Sequence, residues 1–446
     1  DVIIGPRSAL FTPFPSLGLI VMDEEQENSY KSESTPKYHA RETALEVAKL
    51  YGASVVLGSA TPSLEAYYRA GRGEYRLLQL TKRLTGGELP TVYTVDLRQE
   101  LQEGNRSIFS RKLQELMTDR LNKGQQTILF LNRRGYAGFV SCRSCGEVMK
   151  CPHCDVSLSE HKGGRLICHY CGYTQPMPKL CPKCGSKYIL GFKAGTQQIE
   201  EKLKELYPGV RTLRMDADTT RTKDSYEKIL SSFANGEADV LIGTQMIVKG
   251  HDFPKVTLVG ILAADLSLNA SDYRAGERTF QLLTQAVGRA GRGVLPGEAV
   301  IQTYQPDHYA ITCAAAQDYE SFYQEEILYR ELSGYPPVAH MLAVQIYGKE
   351  EENVKQLALR LTDVVKSNMD FLSGKQKEQS NKKIQVLGPA PANISKINDI
   401  YRYVFYVKHA EYDVLVEVKD RLEETLRQWQ SRQMSIQFDF DPVSVL

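Results

Sequence analysis

The sequence predicts an α/β protein in which parallel sheets are covered by helices, a cysteine-rich metal module interrupts one of them, and a small α+β domain follows. Three observations carry this. Short β-branched runs end abruptly in polar or glycine turns, with segments of helical periodicity between them. Four Cys-x-x-Cys pairs crowd the stretch from Cys142 to Cys184. Beyond about residue 335 the pattern changes to β-α-β-β-α-β.

The runs at 17–22, 54–57, 127–131, 239–242 and 257–262 alternate with helical segments such as 38–51 and 197–207. Strand, turn and helix in alternation build a parallel sheet buried on both faces, and ligands then bind beyond the carboxyl ends of the strands. Residues 1–5 read as a strand already under way, so the chain is expected to be a piece of a longer protein. The expected division is 1–105, 106–334 with an insertion at 141–188, and 335–446. Strands are expected at 341–347, 384–387, 401–407 and 435–440, helices at 350–365 and 412–429, and a polar loop at 373–383.

The 446 residues carry a net charge of +1, so any nucleic-acid contact must come from local patches. No apolar run is long enough to span a bilayer, which predicts a soluble intracellular protein without a membrane partner. Paired thiols at this density favour metal over disulfide. Cys313 stands alone and reads as an apolar filler.

Each Cys-x-x-Cys turn offers two thiolates, and two turns complete a tetrahedral site. Of the three possible pairings, joining Cys142/Cys145 to Cys151/Cys154 leaves only five intervening residues. Joining Cys151/Cys154 to Cys168/Cys171 leaves thirteen, close to a zinc-ribbon spacing, so that Cys142/Cys145 and Cys181/Cys184 close around them. Sites filled by thiolate leave no open position, so both Zn²⁺ ions are expected to be structural. Lys150, Lys162, Arg165 and Lys179, with His153, His169 and Tyr170, suggest a platform for DNA or a protein partner.

Asp23-Glu24-Glu25-Gln26 follows an apolar strand, where one carboxylate can hold Mg²⁺ and its neighbour can position water. Taken alone it is as readily a solvated loop. Gly58-Ser59-Ala60-Thr61-Pro62 is equally a turn opening a helix. Gln285-Ala-Val-Gly288-Arg289-Ala-Gly291-Arg292 is more informative. On a continuous helix Gln285, Arg289 and Arg292 share one face, with Phe280, Leu283 and Val287 marking the core side. Two guanidiniums aimed at one point suit a phosphate, and the glycines suggest close backbone approach to a ligand. Between Asn28 and Arg41, Tyr30, Lys31, Tyr38, His39 and Arg41 interleave aromatics with cations, a pattern suited to stacking on bases.

In order, the Asp23, Gly58, Gly243-to-Pro254 and Gln285 motifs resemble motifs II, III, V and VI of superfamily 2 helicases. With Gly5-Pro-Arg-Ser-Ala-Leu-Phe11 and Met215-Asp-Ala-Asp-Thr-Thr220, the wording is similar to the PriA (primosomal protein N′) family over essentially the whole chain. The resemblance implies two RecA-like lobes, the first truncated, in an ATP-dependent 3′-to-5′ DNA helicase of bacterial cytoplasm. It would recognise stalled or branched forks and single-stranded DNA, with single-stranded-DNA-binding protein and other primosome proteins as partners.

By resemblance Asp23 meets Mg²⁺, Glu24 positions water, and Gln285, Arg289 and Arg292 face the nucleotide, while Thr61, Lys249, Gly250 and Asp252 couple it to DNA. The region 28–41 is similar to the family's aromatic-rich loop, and the nested cysteine pairing is expected of the family too. The Gly-x-x-x-x-Gly-Lys-[Ser/Thr] phosphate loop does not occur in the sequence, so this chain alone is expected to be inactive as an ATPase. A double-strand translocase and a non-catalytic fork- or partner-binding module are the alternatives.

Overall fold

The computed structural model describes all residues except 1, 81–88, 132–139, 154–155, 162–163, 169–170, 191–194, 217–218, 221–222, 245–246, 248–252, 271, 294, 368–382, 428–433 and 444–446. The chain forms two compact units. One comprises Asp1–Leu78, His169–Gly172 and Ile327–Leu446, the other Gln79–Cys168 and Tyr173–Glu326.

The second unit is built on six parallel strands in the order Thr212–Met215, Val240–Gly243, Gln126–Phe130, Val256–Ile261, Glu298–Thr303, Thr91–Asp96. Every residue of the three strands Gln126–Phe130, Val240–Gly243 and Val256–Ile261 is buried, which is why these runs are mostly apolar rather than alternating. Leu113, Leu116 and Met117 pack on this sheet together with Ile199 and Leu203. The edge strand Thr91–Asp96 falls within the segment assigned from sequence to the first lobe. It joins the second sheet because its backbone groups pair with Glu298–Thr303, so the boundary lies near residue 79 rather than 105.

In the first unit Leu19–Met22 and Ser54–Leu57 pair in parallel over Met22, Ala40 and Ala44. Helix Ala40–Tyr51 begins where the His39 side chain accepts the Arg41 N–H and ends at Gly52, whose φ of 66° glycine adopts without strain. Val2–Gly5 forms no strand, contrary to the sequence expectation, and Ile4 is 97% exposed. No described strand pairs with it, and an apolar run without a ladder partner stays irregular.

The remainder of this unit is an antiparallel sheet ordered Gln385–Ile397, Ile400–His409, His340–Gly348, Met434–Phe440. Helices Glu351–Ser367 and Tyr412–Arg427 bury Leu357, Leu361, Leu415 and Leu422 against Leu342, Val344, Phe405 and Val407. This is the split β-α-β arrangement read from the sequence. The strand expected at 384–387 runs on to Ile397, with register shifts beyond Leu387 and Pro391 that absorb its prolines.

Candidate metal centre and nucleotide-facing motifs

The cysteine module hangs on short ladders, Ser141–Cys142 with Ile189–Leu190 and the meander Ser159–His161, Arg165–Ile167, Thr174–Pro176. Such ladders bury too little to stand alone. Cys142, Cys145, Cys181 and Cys184 bring their sulfurs within 4.8 Å of one another, and so do Cys151, Cys168 and Cys171. Cys154 lies outside the described residues, as do Lys162, His169 and Tyr170.

Closest sulfurs in the first group stand 3.6 Å apart, Cys142 to Cys184 and Cys145 to Cys181. A Zn–S bond of about 2.3 Å places tetrahedral sulfurs about 3.8 Å apart, so the donor set fits Zn²⁺. The nested pairing is the one the fold brings together. Turns end at Gly146, Gly172 and Gly185, all left-handed, with φ of 76°, 77° and 70°. At Gly146 a Cβ would also stand 2.5 Å from the Tyr304 carbonyl. Arg143 donates to the Tyr304 hydroxyl (2.9 Å), tying the first turn to the six-stranded sheet's lobe. Lys150, His153, Arg165 and Lys179 are all exposed.

Asp23 and Glu24 are exposed at the end of Leu19–Met22, whereas Glu25 is buried. Glu24 has a φ of 48°, a left-handed conformation uncommon outside glycine, and its N–H donates to Asp23 Oδ1 (3.0 Å). That turn sends the neighbouring carboxylates in opposite directions. Glu25 takes bonds from the Ser63 N–H (2.6 Å), the Ser63 hydroxyl (3.0 Å) and Arg41 Nη1 (3.1 Å). Burial pushes its pKa up against the opposing pull of Arg41.

A chain of bonds joins the acidic turn to the Gly58–Pro62 segment. Gln26 Nε2 donates to Glu24 Oε2 and Ser59 Oγ to Gln26 Oε1, both at 2.5 Å, and the Thr61 N–H donates to Ser59 Oγ (2.9 Å). Thr61 is buried, and its hydroxyl has no hydrogen-bond partner among the described residues.

The helix carrying Gln285 runs Ala275–Val287, with Phe280, Leu283 and Val287 buried as the periodicity requires. It stops there. Arg289 and Arg292 lie in the turn beyond Gly288, so the continuous-helix argument for a shared face with Gln285 does not hold. Gly291 serves backbone packing. Gly291 (φ 67°) donates its N–H to the Val256 carbonyl, and a Cβ there would stand 2.4 Å from Gly297 N. Arg292 is exposed, with Nε donating to the Gly288 carbonyl (2.9 Å). Lys249, Gly250 and Asp252 lie outside the described residues.

Of the residues expected to meet nucleic acid, three are committed inward. Lys31 is buried against Asp439 (2.8 Å), and Arg41 against Glu25. The His39 imidazole caps its helix through Nδ1. Ammonium and guanidinium groups are buried only with such partners, which the local sequence could not supply. Tyr30 and Tyr38 are half-buried: Tyr30 donates to the Asp23 carbonyl (2.7 Å), and Tyr38 packs edge-on against Phe11. Arg7, which the sequence reading passed over as a single residue, donates to the Ser29 and Lys31 carbonyls (2.7 and 2.8 Å) and fixes the base of this loop. Lys408 is buried and donates to the Ser333 carbonyl. Cys313 is half-buried, and burial pushes its thiol up.

His39 and His308 cap two helices in the same manner, each accepting a backbone N–H through Nδ1. Burial, aided by Arg41 at one and Lys150 at the other, holds both neutral, pushing them down to about 3 and about 4. Depressed imidazoles contribute stability that is full above about pH 6.5 and is lost as pH falls toward the folded values, at about 1.4 kcal/mol per pH unit per proton. Denaturation at pH 7.5 and pH 5 should therefore show a loss that His39→Asn and His308→Asn, which keep the cap, reduce. A double variant as acid-sensitive as the wild type would refute this.

Residues 180–294 match the helicase conserved C-terminal domain, which together with the parallel sheet places the chain in the helicase class. Residues 151–176 match the PriA DNA helicase Cys-rich region, and 331–443 the primosomal protein N C-terminal domain. The chain is 45% identical to the replication restart protein PriA of Bacillus subtilis (strain 168), over all of this chain and 54% of that one. Identity to the PriA of Synechocystis sp. is 42% (100% and 53%), and to that of Treponema pallidum 38% (100% and 65%). It belongs to the PriA replication restart family, and spans about half the length of the first of these relatives. Among the described residues no helix is long and apolar enough to cross a membrane.

Proposed function

We propose that the chain is the motor-and-zinc portion of an ATP-dependent 3′-to-5′ DNA helicase that recognises stalled or branched forks and initiates primosome assembly. The observation that carries this is the bonded chain from Glu24 through Gln26 and Ser59 to Thr61, beside Tyr30 on the Asp23 carbonyl. It gives a physical route between the acidic turn and a DNA-facing loop. Asp23 would hold the Mg²⁺ of a bound nucleotide, and Glu24 would orient water and take its proton. Gln285, Arg289 and Arg292 meet charge developing on the γ-phosphate, while Thr61, Lys249, Gly250 and Asp252 respond to DNA. Mg-ATP supplies the phosphoanhydride whose cleavage drives translocation.

Tyr30 and Tyr38 offer the stacking faces for single-stranded DNA. Lys31, His39 and Arg41 hold the loop that presents them. The zinc module, with exposed Lys150, Arg165 and Lys179, is a platform for forked DNA or primosome proteins, and the C-terminal domain one for single-stranded-DNA-binding protein.

A strand-displacement assay on forked DNA tests this. The full-length protein should unwind the fork with ATP, whereas the purified 446-residue chain, whose sequence has no phosphate loop, should show no DNA-stimulated turnover. ATP-driven movement without strand separation would favour the translocase reading. Clear turnover by the 446-residue chain would refute the assignment of the missing step.

A further inference from the structure

We infer that Asp439, on the last strand of the C-terminal sheet, is a positioning residue for the 28–39 loop and, through it, for the acidic turn at Asp23. The inference rests on the hydrolase reading above.

Asp439 lies 400 residues from the loop in sequence, yet meets both of its lysines. Lys31 Nζ stands 2.8 Å from Asp439 Oδ1 and Lys37 Nζ 3.7 Å from Oδ2. The two ammonium groups also donate to the Phe440 carbonyl (2.8 Å) and to Gln345 Oε1 (3.0 Å). Register explains the choice of residues: Asp439 pairs with Ala343 and Gln437 with Gln345, so these side chains share the sheet face opposite the two helices. All three charged side chains are less than 10% exposed, and the one carboxylate faces both ammonium groups.

From there the connection is short. Lys31 pairs with His39 across the neck of the loop, where the Ser32 N–H donates to the Tyr38 carbonyl (2.8 Å). Its neighbour Tyr30 donates to the Asp23 carbonyl. A cavity of about 170 Å³ lies between the loop and the sheet, lined in part by Lys31, Ser32, Lys37, Arg402 and Asp439. Asp439 is thereby linked to the acidic turn through Lys31 and its neighbour Tyr30.

Asp439→Asn keeps the shape and removes the charge. In the 446-residue chain, amide exchange over residues 28–39 should rise about tenfold while that of strands His340–Gly348 and Ile400–His409 stays unchanged. In the full-length protein DNA-stimulated turnover should fall about tenfold and basal ATP turnover by clearly less, a split that general loss of fold would not produce. Lys37→Met, which leaves Lys31 on the carboxylate, should move exchange in the same direction by less and serves if Asp439→Asn fails to fold. Unchanged loop exchange overturns the inference by itself. Raised exchange with full DNA stimulation also overturns it. A wild-type protein without DNA-stimulated turnover sinks the hydrolase reading first, and the inference with it.

Discussion

Glu24→Gln in the full-length protein is expected to lower ATP turnover by about two to four orders of magnitude, the range spanned by loss of a positioned general base. Glu25→Gln, one residue on, is expected to act through the fold instead. Both are glutamates in the same four-residue motif, and the structure separates them. Glu24 is exposed, has a left-handed backbone, and its carboxylate accepts from Gln26. Glu25 is the counter-ion of a buried guanidinium and the acceptor of the Ser63 N–H that opens the next helix. Removing one member of such a buried pair costs about 3–5 kcal/mol, whereas an exposed isosteric change costs within about 0.5 kcal/mol. Turnover and urea midpoint measured on both variants check this. Loss of turnover in Glu25→Gln with full stability, or an active Glu24→Gln, would reverse the assignment.

Removal of zinc is expected to have the largest effect on structure. Two zinc ions per chain should be found by elemental analysis, and Cys142→Ser should leave about one. Structural zinc in small Cys-rich folds contributes about 10–16 kcal/mol, far more than the few buried apolar side chains here, such as Val156, Leu158 and Leu166, can offer. Chelation should therefore unfold residues 140–190 and expose the buried thiols of Cys142, Cys168 and Cys181 to alkylation. The six-stranded sheet, with its own core, should survive. A chelated protein whose cysteines stay protected, or well under two zinc ions per chain, would contradict the nested Cys₄ reading.

Much of this molecule was legible locally. Fully buried parallel strands show themselves as short β-branched, mostly apolar runs, and the expected strands at 127–131 and 257–262 fall within one residue of those observed. Cys-x-x-Cys turns are metal half-sites by spacing alone, and loop length favours nesting, so the grouping of Cys142, Cys145, Cys181 and Cys184 is legible in the sequence. Other features were hidden. Helical periodicity continued past Val287 on paper because glycine only weakens a helix, whereas docking of Gly291 on the Val256 carbonyl ends it. The strand Thr91–Asp96 is at most half-buried at every position, so only pairing shows to which sheet it belongs.

By itself the sequence determined the fold class, the cysteine half-sites and the family, because each depends on residues near one another along the chain. Only the tertiary structure decided which charges face outward. Lys31, Arg41 and Glu25 carry the same chemistry on paper as cations and acids that touch ligands, but a charge's role depends on its partner, and Asp439 arrives from the far end of the chain. Burial makes that pairing obligatory, since an ammonium left alone away from water would not stay charged.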